Sequence, residues 1–212
     1  MDTRSNVHRF KAVWGSRALG LGLLASTVLS VSCGKVAGQG TGGSYLVINR
    51  LEAAPGTDPT EFQGTLNSDV ITIVEEQPTL VNDMGRVTFS VGMKNPGPAS
   101  APNAPSQYDF ITVDRYRVRF TRADGRNTPG VDVPYGFDGA FTVTVGGGEQ
   151  SVVFEMVRHV MKMEAPLAAL AHNARIISTI AELTFYGRDL AGREVTASGR
   201  LLIDFGNFAD PD

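Results

Sequence analysis

The sequence predicts an all-β domain: an antiparallel sandwich of seven or eight strands with one short helix, behind an export signal and a flexible tether. Three observations predict it. Apolar and polar residues alternate over several short runs, the period of a strand with one face buried. Clusters of Gly, Pro, Asn and Asp punctuate those runs, as turns require. The one stretch that is apolar all round, residues 18–31, lies near the N-terminus and leads into a glycine-rich segment.

The N-terminal segment comes first. Residues 1–17 carry Arg4, Arg9, Lys11 and Arg17 against a single acid, Asp2, and 14 residues follow in which only Ser26, Thr27 and Ser30 are polar. A basic stretch, a short apolar stretch and then small residues form the layout of an export signal. A helix over that run reaches about 21 Å, short of the roughly 30 Å hydrocarbon core, so a permanent span is not expected. The only cysteine of the chain, Cys33, follows at once. Ser30-Val31-Ser32-Cys33 resembles the lipobox of bacterial lipoproteins. The resemblance implies diacylation of the Cys33 sulfur, cleavage before it and acylation of the new amino group. Ser30 departs from the pattern, in which Leu, Val or Ile is usual. Ser30 and Ser32 also satisfy the small-x-small rule of the ordinary signal peptidase, so a secreted, non-lipidated protein remains the alternative.

The segment after Cys33 suits an anchor. Residues 34–43 hold five glycines and no large apolar side chain except Val36. Ten such residues form a coil with a mean reach of about 17 to 19 Å. Three acyl chains on Cys33 would hold the protein to a membrane, whereas one alone would be marginal. Gly34 stands where an aspartate would imply retention in the inner membrane. The resemblance therefore implies the cell envelope, at the outer membrane, facing the periplasm or the surface. The domain boundaries are 1–32 for the signal, 33–43 for the lipidated tether and 44–212 for the sandwich.

Removing residues 1–32 takes away four of 19 basic and one of 22 acidic residues and leaves a formal charge of −6. Such a balance argues against nucleic acid as a partner. With Cys33 acylated no thiol remains. A chain of this size buries enough surface to fold without a disulfide.

The strands follow in order. Residues 45–51, 70–74 and 86–93 are the first three, and 110–121 is the clearest. In the last, Tyr116, Val118 and Phe120 alternate with Arg115, Arg117 and Arg119. Period two places the apolar set on one face and three guanidiniums on the other. Asp124-Gly125 reads as a turn. Residues 141–145 form another strand, ended by Gly146, Gly147 and Gly148. Residues 150–163 fit both a helix and a strand; β-branched content, the glycines before and Pro166 after favour the strand. Residues 166–172 then make the one helix expected, with Pro166 at its start. Residues 176–186 and 195–205 form the last pair, joined by a hairpin loop at 188–193.

The order of these features resembles immunoglobulin-like and fibronectin-III-like domains of bacterial surface proteins, over about residues 44–206. The part most like them is 185–199, an aromatic strand, a Gly-x-Asp-x-x-Gly turn and a closing strand. Paired cysteines around a buried tryptophan are missing: the chain has one cysteine, and its one tryptophan, Trp14, leaves with the signal. The likeness is to architecture, which does not fix function.

Residues able to carry chemistry are sparse. Residues 38–43 match G-x-G-x-x-G, but a strand must precede and a helix follow for a dinucleotide site. His159 and His172 are the histidines of the mature chain, and no H-E-x-x-H, Cys pair or G-x-S-x-G occurs. Asp124, Asp132 and Asp138, and again Asp204, Asp210 and Asp212, suggest oxygen ligands, but Asp is also an ordinary turn former and no calcium loop pattern is present. No enzyme and no cofactor is expected.

The arginine row Arg115, Arg117 and Arg119, with Arg122 and Arg126 beyond it, is the distinctive charge feature. It reads as a patch for an anionic polysaccharide, lipid headgroup or acidic protein, or as a solvated sheet face balanced by neighbouring carboxylates. The long loop 95–109 carries Pro96, Pro98, Pro102 and Pro105 and is expected to share an end with the hairpin bearing Arg188, Asp189 and Arg193. Loops on a rigid sandwich are usual contact sites. A spacer loop without a ligand is the other reading. Two functions are carried forward. One is a non-enzymatic envelope lipoprotein whose sandwich serves adhesion, scaffolding or assembly with an unidentified envelope protein or polysaccharide. The other is a ligand-binding module, with carbohydrate as one candidate ligand and Tyr108 or Tyr135 as the exposed ring.

Overall fold

The structure, a computed structural model, describes residues 42–208. The export signal, Cys33, the glycine pattern at 38–41, Asp210 and Asp212 lie outside the described residues. Contacts group the described residues as one unit.

The described chain is mostly β, with two sheets whose inner faces meet. The strands are β1 (Ser44–Ala54), β2 (Thr65–Asp69), β3 (Thr72–Val74), β4 (Gln77–Thr79), β5 (Asp83–Met93), β6 (Ile111–Thr121), β7 (Phe137–Val145), β8 (Gln150–Val157), β9 (Ile177–Asp189) and β10 (Glu194–Gly206). One sheet has the order β1-β5-β8 and the other β2-β10-β9-β6-β7, while β3 and β4 form a separate two-stranded ribbon. All pairings between these strands are antiparallel except β2 with β10.

Alternation decides which residues the sheets share. Ile111, Val113, Tyr116, Val118 and Phe120 of β6 face inward, as do Ala181, Leu183 and Phe185 of β9. A shift of register between Val113 and Arg115 lets the strand keep its apolar face inward. The inner faces meet in an aromatic cluster. The Tyr116 ring lies 4.8 Å from Phe154 and 5.6 Å from Phe141, and Phe185 lies 5.1 Å from Phe89. Gly139 makes room for it, since a Cβ there would collide with the Tyr116 ring. The Tyr116 hydroxyl donates to the Glu155 carbonyl at 3.0 Å. Burial pushes the phenol pKa up.

Three expectations need correction. The strand expected at 70–74 is only Thr72–Val74, and an unexpected strand precedes it. Thr65–Asp69 joins the larger sheet, and Thr72–Val74 turns away into the ribbon. Its inward face, Leu66 and Ser68, continues to Val70 and Thr72, but half of that row is polar, which hides it from a search for apolar alternation. Residues 150–163 are a strand only to Val157; His159–Lys162 then forms one α-helical turn, α1, so His159 is an exposed helical residue, not a strand residue. The helix expected at 166–172 is a 3-10 segment over Leu167–His172, and another 3-10 turn, Gln107–Asp109, precedes β6. The short helix is therefore not alone.

Tyr116→Ala should cost about 3 to 5 kcal/mol, because it empties a large aromatic site and removes the hydroxyl that satisfies the Glu155 carbonyl. Arg117→Ala, on the opposite face, should stay within about 0.5 kcal/mol. Chemical denaturation of the fragment 44–212 carrying each change decides; equal losses would contradict this division of faces.

Candidate partner-contact surfaces

The strand ends define two poles. At one, the chain enters β1 at Gly42–Ser44, beside the loop 94–110, the glycines 146–148 and the hairpin 190–193. Lys94 N–H donates to the Gly43 carbonyl at 2.9 Å, and Ser44 Oγ donates to the Asp109 carbonyl at 2.9 Å. Ile111 pairs with Asp189 in register, so the proline-rich loop and the hairpin share this pole. The loop is braced from within: the Asn103 N–H donates to the Pro96 carbonyl and that of Ala101 to Pro98. Tyr108 and Leu190 are the exposed large apolar side chains of this pole.

The hairpin residues play different parts. The Asp189 side chain has no exposed surface. It accepts the N–H groups of Ala191 and Arg193, at 3.0 and 2.9 Å, and the Arg193 Nε at 2.7 Å. Burial pushes its carboxyl up, but these donors outweigh burial and hold it below its ordinary value. Asp189 therefore organises the turn and presents nothing to a partner. Arg193 is committed to the same carboxylate, while Arg188 stands out in solvent, 3.7 Å from Glu194.

The arginine row lies on the outer face of the five-stranded sheet. Arg117 holds Asp138 with two bonds, at 2.8 and 3.0 Å. That guanidinium lowers the Asp138 pKa, and Arg115 and Arg119 add to the effect. Arg115 lies over the Tyr186 ring at 4.0 Å, a cation–π contact. Arg119 faces Glu182 in register, but Glu182 pairs with Arg200 of β10 at 2.7 Å. Among the described residues, Arg115 and Arg119 make no ion pair. The face is thus largely balanced, with two guanidiniums not matched to a carboxylate.

The opposite pole gathers 55–64, the β3–β4 ribbon, 122–136 and 158–176. Its exposed apolar side chains include Val131, Tyr135, Val160, Met163 and Ile176. Two shallow hollows open there. One, about 500 Å³, is bounded by Arg117, Arg119, Tyr135, Phe137, Asp138 and Glu182. The other, about 410 Å³, lies between Arg122, Arg126, Val131, Pro166 and Arg175. The carboxylates of the turns are already employed. Asp124 bridges Arg122 and Arg126, whose guanidiniums and backbone hold it well below the usual carboxylate range, and Asp132 accepts the Thr128 N–H. Among the described residues no three His, Cys, Asp or Glu side chains are grouped to hold a metal ion. His159 Nδ1 meets Asn82 Oδ1 at 2.9 Å, and His172 is exposed at the end of its 3-10 segment.

No protein-family model matches the chain, and neither does any curated protein.

The lowered carboxyl of Asp189 has a pH signature. Its contribution to stability is fully present above about pH 4, the unfolded value, and is lost as pH falls through the lower folded value. The protection of the 189–193 amides, meaning exchange relative to the unfolded chain at the same pH, should therefore stay high at pH 5 and fall in acid. Asp189→Asn should lower the protection already at pH 5 and cost about 1 to 3 kcal/mol, because buried donors lose a charged acceptor. Unchanged protection in Asp189→Asn would contradict the role.

Proposed function

We propose that the protein is a non-enzymatic envelope lipoprotein, acylated at Cys33, whose sandwich serves as a contact module for an envelope partner. We read the sandwich as immunoglobulin-like. Support comes from the strand order: β1, β5 and β8 share one sheet, while β6, β9 and β10 share the other, so the chain crosses repeatedly between sheets as in that architecture. The observation that carries the functional reading is polar separation. The chain enters the domain at one pole, and most exposed large apolar side chains gather at the other.

If Cys33 is the anchor, only the ten residues Gly34 to Gly43 lie between it and the start of β1. Even fully extended they span about 35 Å. The pole with the proline-rich loop and Arg188 then faces the headgroups. The sandwich adds strands of about 36 to 43 Å beyond it. The pole bearing Tyr135, Val131 and Met163 is held outward, and the contact surface moves there from the hairpin. The outer membrane is the proposed site, from Gly34 after the cysteine. The secreted, non-lipidated form is the competing reading, because Ser30 and Ser32 also suit the ordinary peptidase.

Mass spectrometry of protein extracted from membranes tests the anchor. The N-terminal peptide should begin at Cys33 and carry acyl chains on both sulfur and nitrogen. Cys33→Ala should leave an uncut precursor or release the domain from the membrane. A membrane-extracted protein with unmodified sulfur at Cys33 would overturn the reading.

A further inference from the structure

The hollow beside Tyr135 sets a half-exposed aromatic ring next to paired and unpaired charged side chains. Tyr135 is 55% exposed. Its inner face rests on Gly130, where φ is +76° and where any Cβ would collide with the ring. The segment that carries it is braced throughout. The Thr128 carbonyl takes the N–H groups of Val131 and Asp132, at 3.1 and 2.8 Å, and Gly130 N–H donates to the Val133 carbonyl at 2.8 Å. Val133 is buried and anchors the segment to the core. The ring is thus a platform with one face against backbone and the other toward solvent.

Beside the ring the lining is mixed: Phe137, Pro129 and Pro134 are apolar, and the hydrogen-bonding side chains are Arg117 paired with Asp138, Glu182 paired with Arg200, and Arg119 without an ion-pair partner among the described residues. The hollow holds about 500 Å³, within the range of small-ligand sites. A pyranose offers one face of C–H groups to an aromatic ring and hydroxyls at its rim to carboxylate and guanidinium forks. The unpaired Arg119 asks for a negative charge beside that ring, since a guanidinium fits a carboxylate with two parallel bonds.

We propose that this hollow binds an acidic saccharide, with one sugar ring on Tyr135 and its carboxylate on Arg119. The inference rests on the contact-module reading and deepens it by giving the partner a chemical class. Saccharide hydroxyls meet Asp138 and Glu182, whose acceptor oxygens remain partly exposed in their ion pairs. Gly130 serves as a positioning residue, since its lack of a side chain lets the ring lie flat.

Isothermal titration of the mature protein in detergent micelles tests it, with tetragalacturonate as the acidic probe and maltotetraose as the neutral one. Tetragalacturonate should bind saturably, at least tenfold more tightly than maltotetraose. Tyr135→Ala should weaken it tenfold or more. Arg119→Gln should remove the preference for the acidic probe. Gly130→Ala should act like Tyr135→Ala, with circular dichroism unchanged to show that the fold persists. No saturable binding of tetragalacturonate, equal binding of both probes, or wild-type affinity in Tyr135→Ala would each overturn the site. The mass of the Cys33 peptide is read on the same sample. An acylated protein that fails to bind overturns the saccharide site alone, and a non-acylated one that binds overturns the anchor alone.

Discussion

A fully buried ion pair ties the elements together at the pole opposite the chain's entry into β1. Lys162 Nζ lies 3.0 Å from Asp83 Oδ2, and the two side chains are 0% and 1% exposed. Each charge is satisfied beyond the pair. Asp83 also accepts from the Gly56 N–H at 2.9 Å and the Ser68 hydroxyl at 2.6 Å, and Lys162 donates to the Asp69 carbonyl at 2.7 Å. The cluster therefore ties together the loop after β1, the end of β2, the start of β5 and α1. Burying two charges costs several kcal/mol each, and only close geometry with further hydrogen bonds offsets it. Here both conditions hold. One helical turn of four residues has no stability of its own. Lys162, with Met161 and Leu167 in the core, pins α1 and the 3-10 segment after it to the sandwich. The frame around this pole depends on that pinning through Pro166 and Leu170, which line the hollow next to that of Tyr135.

How much of this the sequence carries depends on how local the cause is. The face assignment of β6 is legible because apolar residues alternate with arginines, and period two admits one orientation. The long pair β9 and β10 is legible from its alternation too, although the loop between them is 190–193, shorter than the 188–193 expected. The turn at Asp124 and Gly125 is visible from composition, and Gly125 takes the left-handed φ of +81°. What escapes the sequence depends on distant partners or on backbone groups that no side-chain pattern marks. The strand Thr65–Asp69 reads as loop because Ser68 faces inward where an apolar residue is expected, and it is tolerated there only by Asp83. Lysine is among the residues least expected in a core, so nothing near Lys162 in sequence marks it as buried. Asp189 reads as a surface acid because its donors are largely backbone groups of its own turn, which no side-chain pattern announces. The sequence also points to Tyr135 as exposed, but the support of its ring by Gly130 depends on how the loop 128–135 folds back on itself.

The arginine row shows why charge in sequence and charge on a surface differ. Arg115 and Arg119 lie on one strand face yet meet different neighbours: an aromatic ring in one case and a carboxylate already taken in the other. Between them Arg117 is neutralised across the strand pair by Asp138. A run that reads as one basic stripe becomes one occupied site flanked by two incomplete ones. Of these, Arg119 lies beside the platform of Tyr135, near the pole that an anchor at Cys33 would hold outward. Stability and proposed recognition thus meet at the same end of the molecule, the first through a buried pair and the second through an exposed ring.

The most direct measurement compares the denaturation free energies of Lys162→Met, Asp83→Asn and the double variant. Lys162→Met leaves Asp83 as a buried charge without its cation and should cost about 3 to 5 kcal/mol. In the double variant a neutral amide replaces the stranded carboxylate and still accepts the Gly56 N–H. A large part of the loss should then return, and the two changes should be strongly non-additive. A Lys162→Met loss below about 1 kcal/mol, or simple additivity, would contradict the claim that this pair holds together the pole opposite the chain's entry.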